Sequence, residues 1–270
     1  ILFKQALLVK PLPFQWRSLA GFAPKYEAET ALTTNDDEVK EINQLLKGDI
    51  FLGNAAGFSN TGGSNNAFVG NNAGTANISG SSNVFIGNQS GASNKTGGDN
   101  VFMGTQSGFS NNSGSFNTFL GFEAGLTSSN SSDNNFIGYQ AGKSHISRGG
   151  NVYLGSKAGG EATFGEQNVF IGENTGLNTT WGKRNVFIGF EAGLNNSGYN
   201  SANDHGSFNV YMGYQAGYTG TTLRKNVFIG YQAGYNSEPG GTWWAGRRMA
   251  QKLRSDSSPP LKLKSDGTVF

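Results

Sequence analysis

The sequence predicts an all-β chain wound as a β-solenoid of eleven 17-residue coils, and three observations carry that prediction. The first is a period. In the recurring segment Asn-Val-Phe-Ile-Gly-x-x-Ala-Gly, the first Gly stands at Gly53, Gly70, Gly87, Gly104, Gly121, Gly138, Gly155, Gly172, Gly189, Gly213 and Gly230. Every step is 17 residues except one of 24, so a single seven-residue insertion lies between Gly193 and Asn209. The second observation is a partner glycine four residues later, from Gly57 to Gly234 without exception; the two columns hold 22 of the 42 glycines. The third is a side-chain pattern. With the first Gly as position 0, column −2 is always Phe or Tyr and column −1 always aliphatic or Met, while column −4 is Asn ten times and Asp49 once.

Each element follows from these columns. A 17-residue unit is too short for a helix pair or a propeller blade, and a Val-Phe-Ile core favours a short strand. Glycine at two fixed places supplies positive φ or a close backbone approach at turns. A third turn is expected at column −7, where Gly63, Gly80, Gly97, Gly114, Gly165, Gly182 and Gly206 sit, with Ser131, Arg148 and Leu223 as exceptions. Coils stacked at the strand spacing of about 4.8 Å make a rod of roughly 50 Å. Its repeating ladder is represented by Asn100, Phe102, Met103, Gly104 and Gly108, and by Asn185, Phe187, Ile188, Gly189 and Gly193. The Asn column is expected to bond along the axis or to cap the turn.

One feature of the strand bears on assembly. Neighbouring side chains point to opposite faces, so columns −2 and −1 cannot both face the inside, yet both are apolar in all eleven copies. A strand apolar on both faces expects cover on both. The outer stripe is therefore expected to pack on other copies, a closed homotrimer being the simplest choice for a fibre; a monomeric roll is the alternative.

Composition supports a non-catalytic reading. Glycine near 16% without an every-third-residue period, and with only 6 Pro, excludes collagen. Asn, Gly, Ser and Thr weaken helix interiors, which argues against a helix-rich catalytic domain. The absence of Cys removes disulfide scaffolds, thiol nucleophiles and Cys-zinc sites. No stretch approaches the roughly 20 apolar residues of a membrane span. Charge is nearly balanced at 20 Lys+Arg against 18 Asp+Glu, and the basic excess of residues 236–270 is too small to read as a nucleic-acid footprint.

The flanks differ from the repeat. Residues 1–34 read as an extended arm broken by Pro11, Pro13 and Pro24, and residues 35–48 as a capping or neck helix begun by Thr34 and the acids Asp36, Asp37 and Glu38. The solenoid is assigned to residues 49–235 and a basic tail with a hairpin at Leu261–Phe270 to residues 236–270.

Strings such as Asn226-Val-Phe-Ile-Gly-Tyr-Gln-Ala-Gly-Tyr235 resemble repeat regions of phage tail-fibre and bacterial surface-fibre proteins, and the unit is similar in style to the heads of trimeric autotransporter adhesins. The resemblance implies a structural fibre segment, extracellular, on a cell surface or a virion, that carries or contributes to receptor attachment. A glycan-binding lateral face and a filament polymerising through terminal arms are the alternatives.

No catalytic, metal or cofactor residue is assigned. His145 and His205 read as solvated loop residues, and Glu123 and Glu191 share a column with Gln140, Asn174 and Lys157, as at variable surface positions. Calcium-binding repeats would need an Asp in every unit, and no Thr column supports ice binding. The exposed aromatics Tyr139, Tyr214, Tyr218, Tyr231 and Tyr235, with Trp243 and Trp244, are the candidates for ligand or partner contact, because Tyr and Trp stack on sugars and anchor interfaces.

Overall fold

A computed structural model describes residues 47–146, 149–198 and 205–237. The expected helix at 35–48, except its last two residues, the N-terminal arm, the hairpin, Trp243 and Trp244 lie outside the described residues. From Gly48 onward the described residues fall in one compact unit. It is a parallel β-solenoid whose eleven three-residue strands, β1 (Ile50–Leu52) through β6 (Asn135–Ile137) to β11 (Val227–Ile229), form one sheet in sequence order. No helix occurs among the described residues.

Register is fixed by the repeat. Phe51 pairs with Phe68, Phe85 with Phe102, and so on, each strand column opposite its equivalent in the next coil. The 24-residue step does not break it: Tyr211 of β10 (Val210–Met212) still pairs with Phe187 of β9 (Val186–Ile188). The strand register therefore passes unchanged across the insertion, of which residues 199–204 are not described.

Strand pleating turns column −2 inward. Ten of its eleven rings are buried, and all eleven stack in one unbroken column with centroids 4.6–5.0 Å apart. Successive ring planes differ by only 3–17°. Ordinary sheets rotate about 20–25° per strand, so this one is nearly flat.

The glycine columns have separate causes. At column 0 the backbone is at φ near +135° (Gly104, 133°), and a Cβ there would strike the carbonyl of the next coil's Gly121. At column +4 a Cβ on Gly108 would press on the coil's own Phe102 ring. The expected third turn is displaced. Gly63, Gly80, Gly97, Gly114, Gly165 and Gly182 do not have positive φ, and of the seven expected turn glycines Gly206 alone does (71°); the left-handed residue comes two positions later, at Asn65, Ser82, Asp99, Phe116, Asp133, Gln167, Arg184, Phe208 and Lys225. Glycine at column −7 serves packing instead, since a Cβ on Gly97 would meet the Gly114 carbonyl and the Asn94 amide.

The Asn column forms a ladder along the rod. Asn83 Oδ1 accepts both the backbone N–H of Asn100 (3.0 Å) and its Nδ2 (3.1 Å), while Asn100 Nδ2 also donates to the Gly114 carbonyl (2.8 Å). Asn185 does the same on Asn168. Across the insertion Asn209 still donates to Asn185. At the head of the ladder Asp49 accepts from Asn66 N–H and from Asn60 Nδ2, both at 2.8 Å. A carboxylate suits that place, where two donors converge on it, one from its own coil and one from the next.

A second buried Asn ladder, at column +7, was not expected. Asn77, Asn94 and Asn111 each donate Nδ2 to the Asn one coil earlier at 2.8 Å. Farther along the rod the column becomes Ser128, His145, Ala162, Thr179, Asn196 and Gly220. His145 corrects its reading as solvated: it is fully buried, edge-on to Phe136 and Tyr153, with Nδ1 3.0 Å from the Ala162 carbonyl. His205 is half-buried.

Candidate interaction face

With column −2 buried, the opposite side of the sheet carries columns −3 and −1, and column +1 follows in the turn at the edge of that side, where the column +3 N–H bonds back to the column 0 carbonyl. None of the 33 residues in these three columns is buried. Ile50, Leu52, Ile86, Met103, Ile137, Leu154, Met212 and Ile229 are exposed, Ile229 by 57%. Ile171 and Ile188 are half-buried. The stripe runs the length of the rod. Contiguous exposed apolar surface of this extent makes it the candidate contact face.

Electrostatics separates this face from the rest of the rod. Residues 49–235 hold eight basic and nine acidic residues, and of these seventeen only Glu173 falls in the three columns. Among the described residues the others lie outside the strands, Asp49 buried at the head of the ladder and the rest along the turns and connecting segments. There Lys143 pairs with Glu123 (2.7 Å), Lys183 with Glu166 (3.8 Å), and Arg184 lies over Phe208. Glu123 is held below the usual carboxylate range, chiefly by its hydrogen bond from Lys143. Glu123 and Glu191 are half-buried and accept from Gln140 and Gln215 of the following coil, so their column is an amide–carboxylate ladder.

The candidate aromatics divide between two columns. Tyr139, Tyr214 and Tyr231 belong to column +1, where Phe122 stacks on Tyr139 (5.7 Å) and Phe190 on Tyr214 (5.4 Å), with Tyr231 next (5.0 Å). Tyr218 and Tyr235 stack on each other in column +5 (4.8 Å) and are half-buried. Sugar recognition by stacking needs an open ring face, and Tyr214 has both faces against neighbouring rings. The Tyr ladder offers solvent mainly ring edges and hydroxyls.

Several exposed or strained groups had no repeat signal. Phe116 is 61% exposed and sits in the left-handed region at φ 59°, an uncommon conformation for a bulky residue. Phe164 and Trp181 stack at 4.1 Å beside the insertion. Among the described residues no group of three or more His, Asp or Glu could hold a metal ion, and no helix is long and apolar enough to cross a membrane.

Comparison with known proteins adds one partial match. Residues 238–270 match the family described as "Protein of unknown function (DUF1688)", beyond the last described residue of the solenoid. No curated protein and no solved structure matches the chain.

Proposed function

We propose that this chain is a non-catalytic structural rod, a fibre segment at a bacterial or virion surface, which works by lying against other copies of itself along the uncharged outer face of its sheet. The observation that carries the reading is that face: three columns, eleven coils long, unburied and bearing one charge. Its mechanism is mechanical. In-register backbone hydrogen bonds, a continuous ring stack and an amide ladder give stiffness and resistance to proteolysis, and the outer face supplies lateral adhesion. Burying such a face against a like face removes apolar area from water at about 25 cal/mol per Å². Assignment to a fibre outside the cell rests on the resemblance of the repeat.

A lateral glycan-binding face is the second reading, favoured by the exposed edges and hydroxyls of Tyr139, Tyr214 and Tyr231. Sedimentation of the purified full chain tests the first. A closed assembly at micromolar concentration supports self-association, while a folded monomer there overturns it.

A further inference from the structure

The outer face is self-complementary in one arrangement. We propose that two copies pair face to face as an antiparallel dimer, with the two-fold axis running along β6, the strand of the sixth and middle coil. This deepens the structural-rod reading and rests on it. An axis along a strand keeps each column opposite its own column and sets coil n opposite coil 12−n. Side chains of the paired coils then match by size. In column +1 the last three coils carry rings and the first three Asn, so Tyr231 falls opposite Asn54, Tyr214 opposite Asn71 and Phe190 opposite Asn88, while nearer the middle Phe122 falls opposite Ser156. In column −1 the smallest side chain, Val69, falls opposite Met212. Tyr139 meets its own copy, edge to edge, on the axis.

Polar groups match in the same arrangement. Glu173, the single charge of the face, falls opposite the Thr105 hydroxyl, which can donate to it. Any parallel assembly instead brings Glu173 to the eighth coil of a neighbour, where the three columns offer Val169, Ile171 and another Glu173. That leaves a carboxylate without a donor in a drying interface. Asn135 is the polar residue of the middle strand, exposed, with no side-chain hydrogen bond within the chain. On the axis it meets Asn135 of the second copy, and two amides can each donate to the other. A lone buried Asn pair of this kind fixes register in other apolar seams.

Area and dipoles agree. Ten coil steps at about 4.8 Å by four residues at about 3.3 Å give near 600 Å² per copy, or about 1,200 Å² per pair. That reaches the lower end of stable interfaces, about 1,200–2,000 Å². The near-flat sheet lets the contact run the whole length. Every amide of the buried Asn ladder points the same way along the rod, so its dipoles add as peptide dipoles add in a helix, and antiparallel rods oppose them. Such a pair has equivalent ends, which suits a strut or spacer.

Spin labels on the full chain test this directly, since it has no Cys to remove. Ser79→Cys in the second coil and Asn130→Cys in the fifth place nitroxides on exposed positions outside the three columns. In the antiparallel dimer the two labels at 79 are offset along the rod by eight coil steps, about 38 Å, and those at 130 by two, about 10 Å. Pulsed EPR should therefore give a clearly longer distance for 79 than for 130. Equal distances, or a sedimenting trimer, would overturn the antiparallel pair and leave the self-associating rod intact; a monomer would overturn both. Ile137→Lys, which sets two ammonium groups together on the axis, should reduce the dimer to monomer with unchanged far-ultraviolet circular dichroism, and a dimer that survives it counts against the axis. Asn135→Val should broaden the distance distribution at 130 by loosening register, and an unchanged narrow distribution would remove Asn135 from that role.

Discussion

Two asparagine columns run through the interior of this rod, built from the same residue and tolerating change very differently. Column −4 keeps its Asn through ten coils and across the insertion, while column +7 holds Asn in the first four coils and then takes Ser128, His145, Ala162, Thr179, Asn196 and Gly220. The difference lies in what each amide serves. In column −4 the Oδ1 accepts a backbone N–H from the next coil, as Asn100 accepts from Asn117 at 3.0 Å, so its removal strands a buried main-chain donor. In column +7 the amides serve mainly one another and the carbonyl at the following corner, as Asn94 serves Asn77 and Gly97. What that corner needs is filled volume.

The fill varies with the ring next to it. The two coils that carry Tyr inside, at Tyr153 and Tyr211, are the two with the smallest residues at column +7, Ala162 and Gly220. The Tyr153 hydroxyl lies 3.1 Å from where a Cβ on Gly165 would stand, and in a regular coil the Asn94 amide oxygen lies 2.6 Å from the same point on Gly97. Phenol oxygen and amide thus use one corner in turn. In the coil of Tyr211, Leu223 also enters it from column +10, against Gly220. Neither phenol hydroxyl is hydrogen-bonded, and burial pushes both well above the usual tyrosine range, in Tyr153 against a smaller opposing effect of the neighbouring Asn168 amide.

The largest expected effect sets the scale for both columns. Phe102→Ala opens a ring-sized gap between Phe85 and Phe119 in a fully buried stack and should cost about 3–5 kcal/mol by denaturant titration. Next comes the comparison itself. Asn100→Ala should cost about 2–4 kcal/mol, because the Asn117 N–H, the Gly114 carbonyl and the Asn83 Oδ1 lose partners together, whereas Asn94→Ala should cost about 1–2 kcal/mol. Equal losses in the two variants would erase the distinction between a backbone-serving ladder and a space-filling one.

The shared corner can be examined by a double-mutant cycle. Ala162→Asn alone adds an amide where the Tyr153 hydroxyl already lies and should cost about 1–3 kcal/mol as overpacking. Combined with Tyr153→Phe, which removes that hydroxyl, most of the cost should return, giving a coupling of about 1 kcal/mol or more in thermal unfolding. Additive single effects would mean that the two side chains do not compete for one space.

What was legible in the sequence follows the same division. Columns −4, −2, 0 and +4 are imposed on every coil by backbone geometry or by the ring stack, so eleven copies display them and the solenoid could be read directly. Column +7 answers to its neighbour instead, and a column of Asn, Ser, His, Ala, Thr and Gly has no visible period; only knowing that it meets column −2 inside the coil makes it readable. His145 looks solvated in the sequence for that reason. The displaced turn was hidden by Gly97 and its equivalents, which look like turn glycines while the left-handed position two residues on is held by Asp99, Phe116 or Lys225. The outer face was legible in columns −1 and −2 as a strand apolar on both sides, but its size matching along the rod needed the register.

The smallest effect lies outside the rod's core and marks where the interior comparison stops. Lys143 donates to Glu123 across one coil step at 2.7 Å, with both side chains partly exposed. The ion pair lowers the Glu123 carboxyl and raises the Lys143 ammonium from their usual ranges, in each case first through their mutual hydrogen bond. A lowered carboxyl contributes stability that is present above the unfolded glutamate range and lost as pH falls through the folded value. A raised ammonium contributes stability present below the unfolded lysine range and lost as pH rises through the folded one. Lys143→Ala should therefore destabilise by no more than about 1 kcal/mol near pH 7, the scale of a surface pair. The gap from the parent should close in acid below about pH 4 and again in strong base. Thermal melting at pH 3 and pH 7 reads this directly, and because Gln140 still donates to Glu123 at 2.7 Å, the amide ladder at that step should remain in the variant. A loss comparable to that of Asn94→Ala would place this turn-side ladder among the elements that hold the coil.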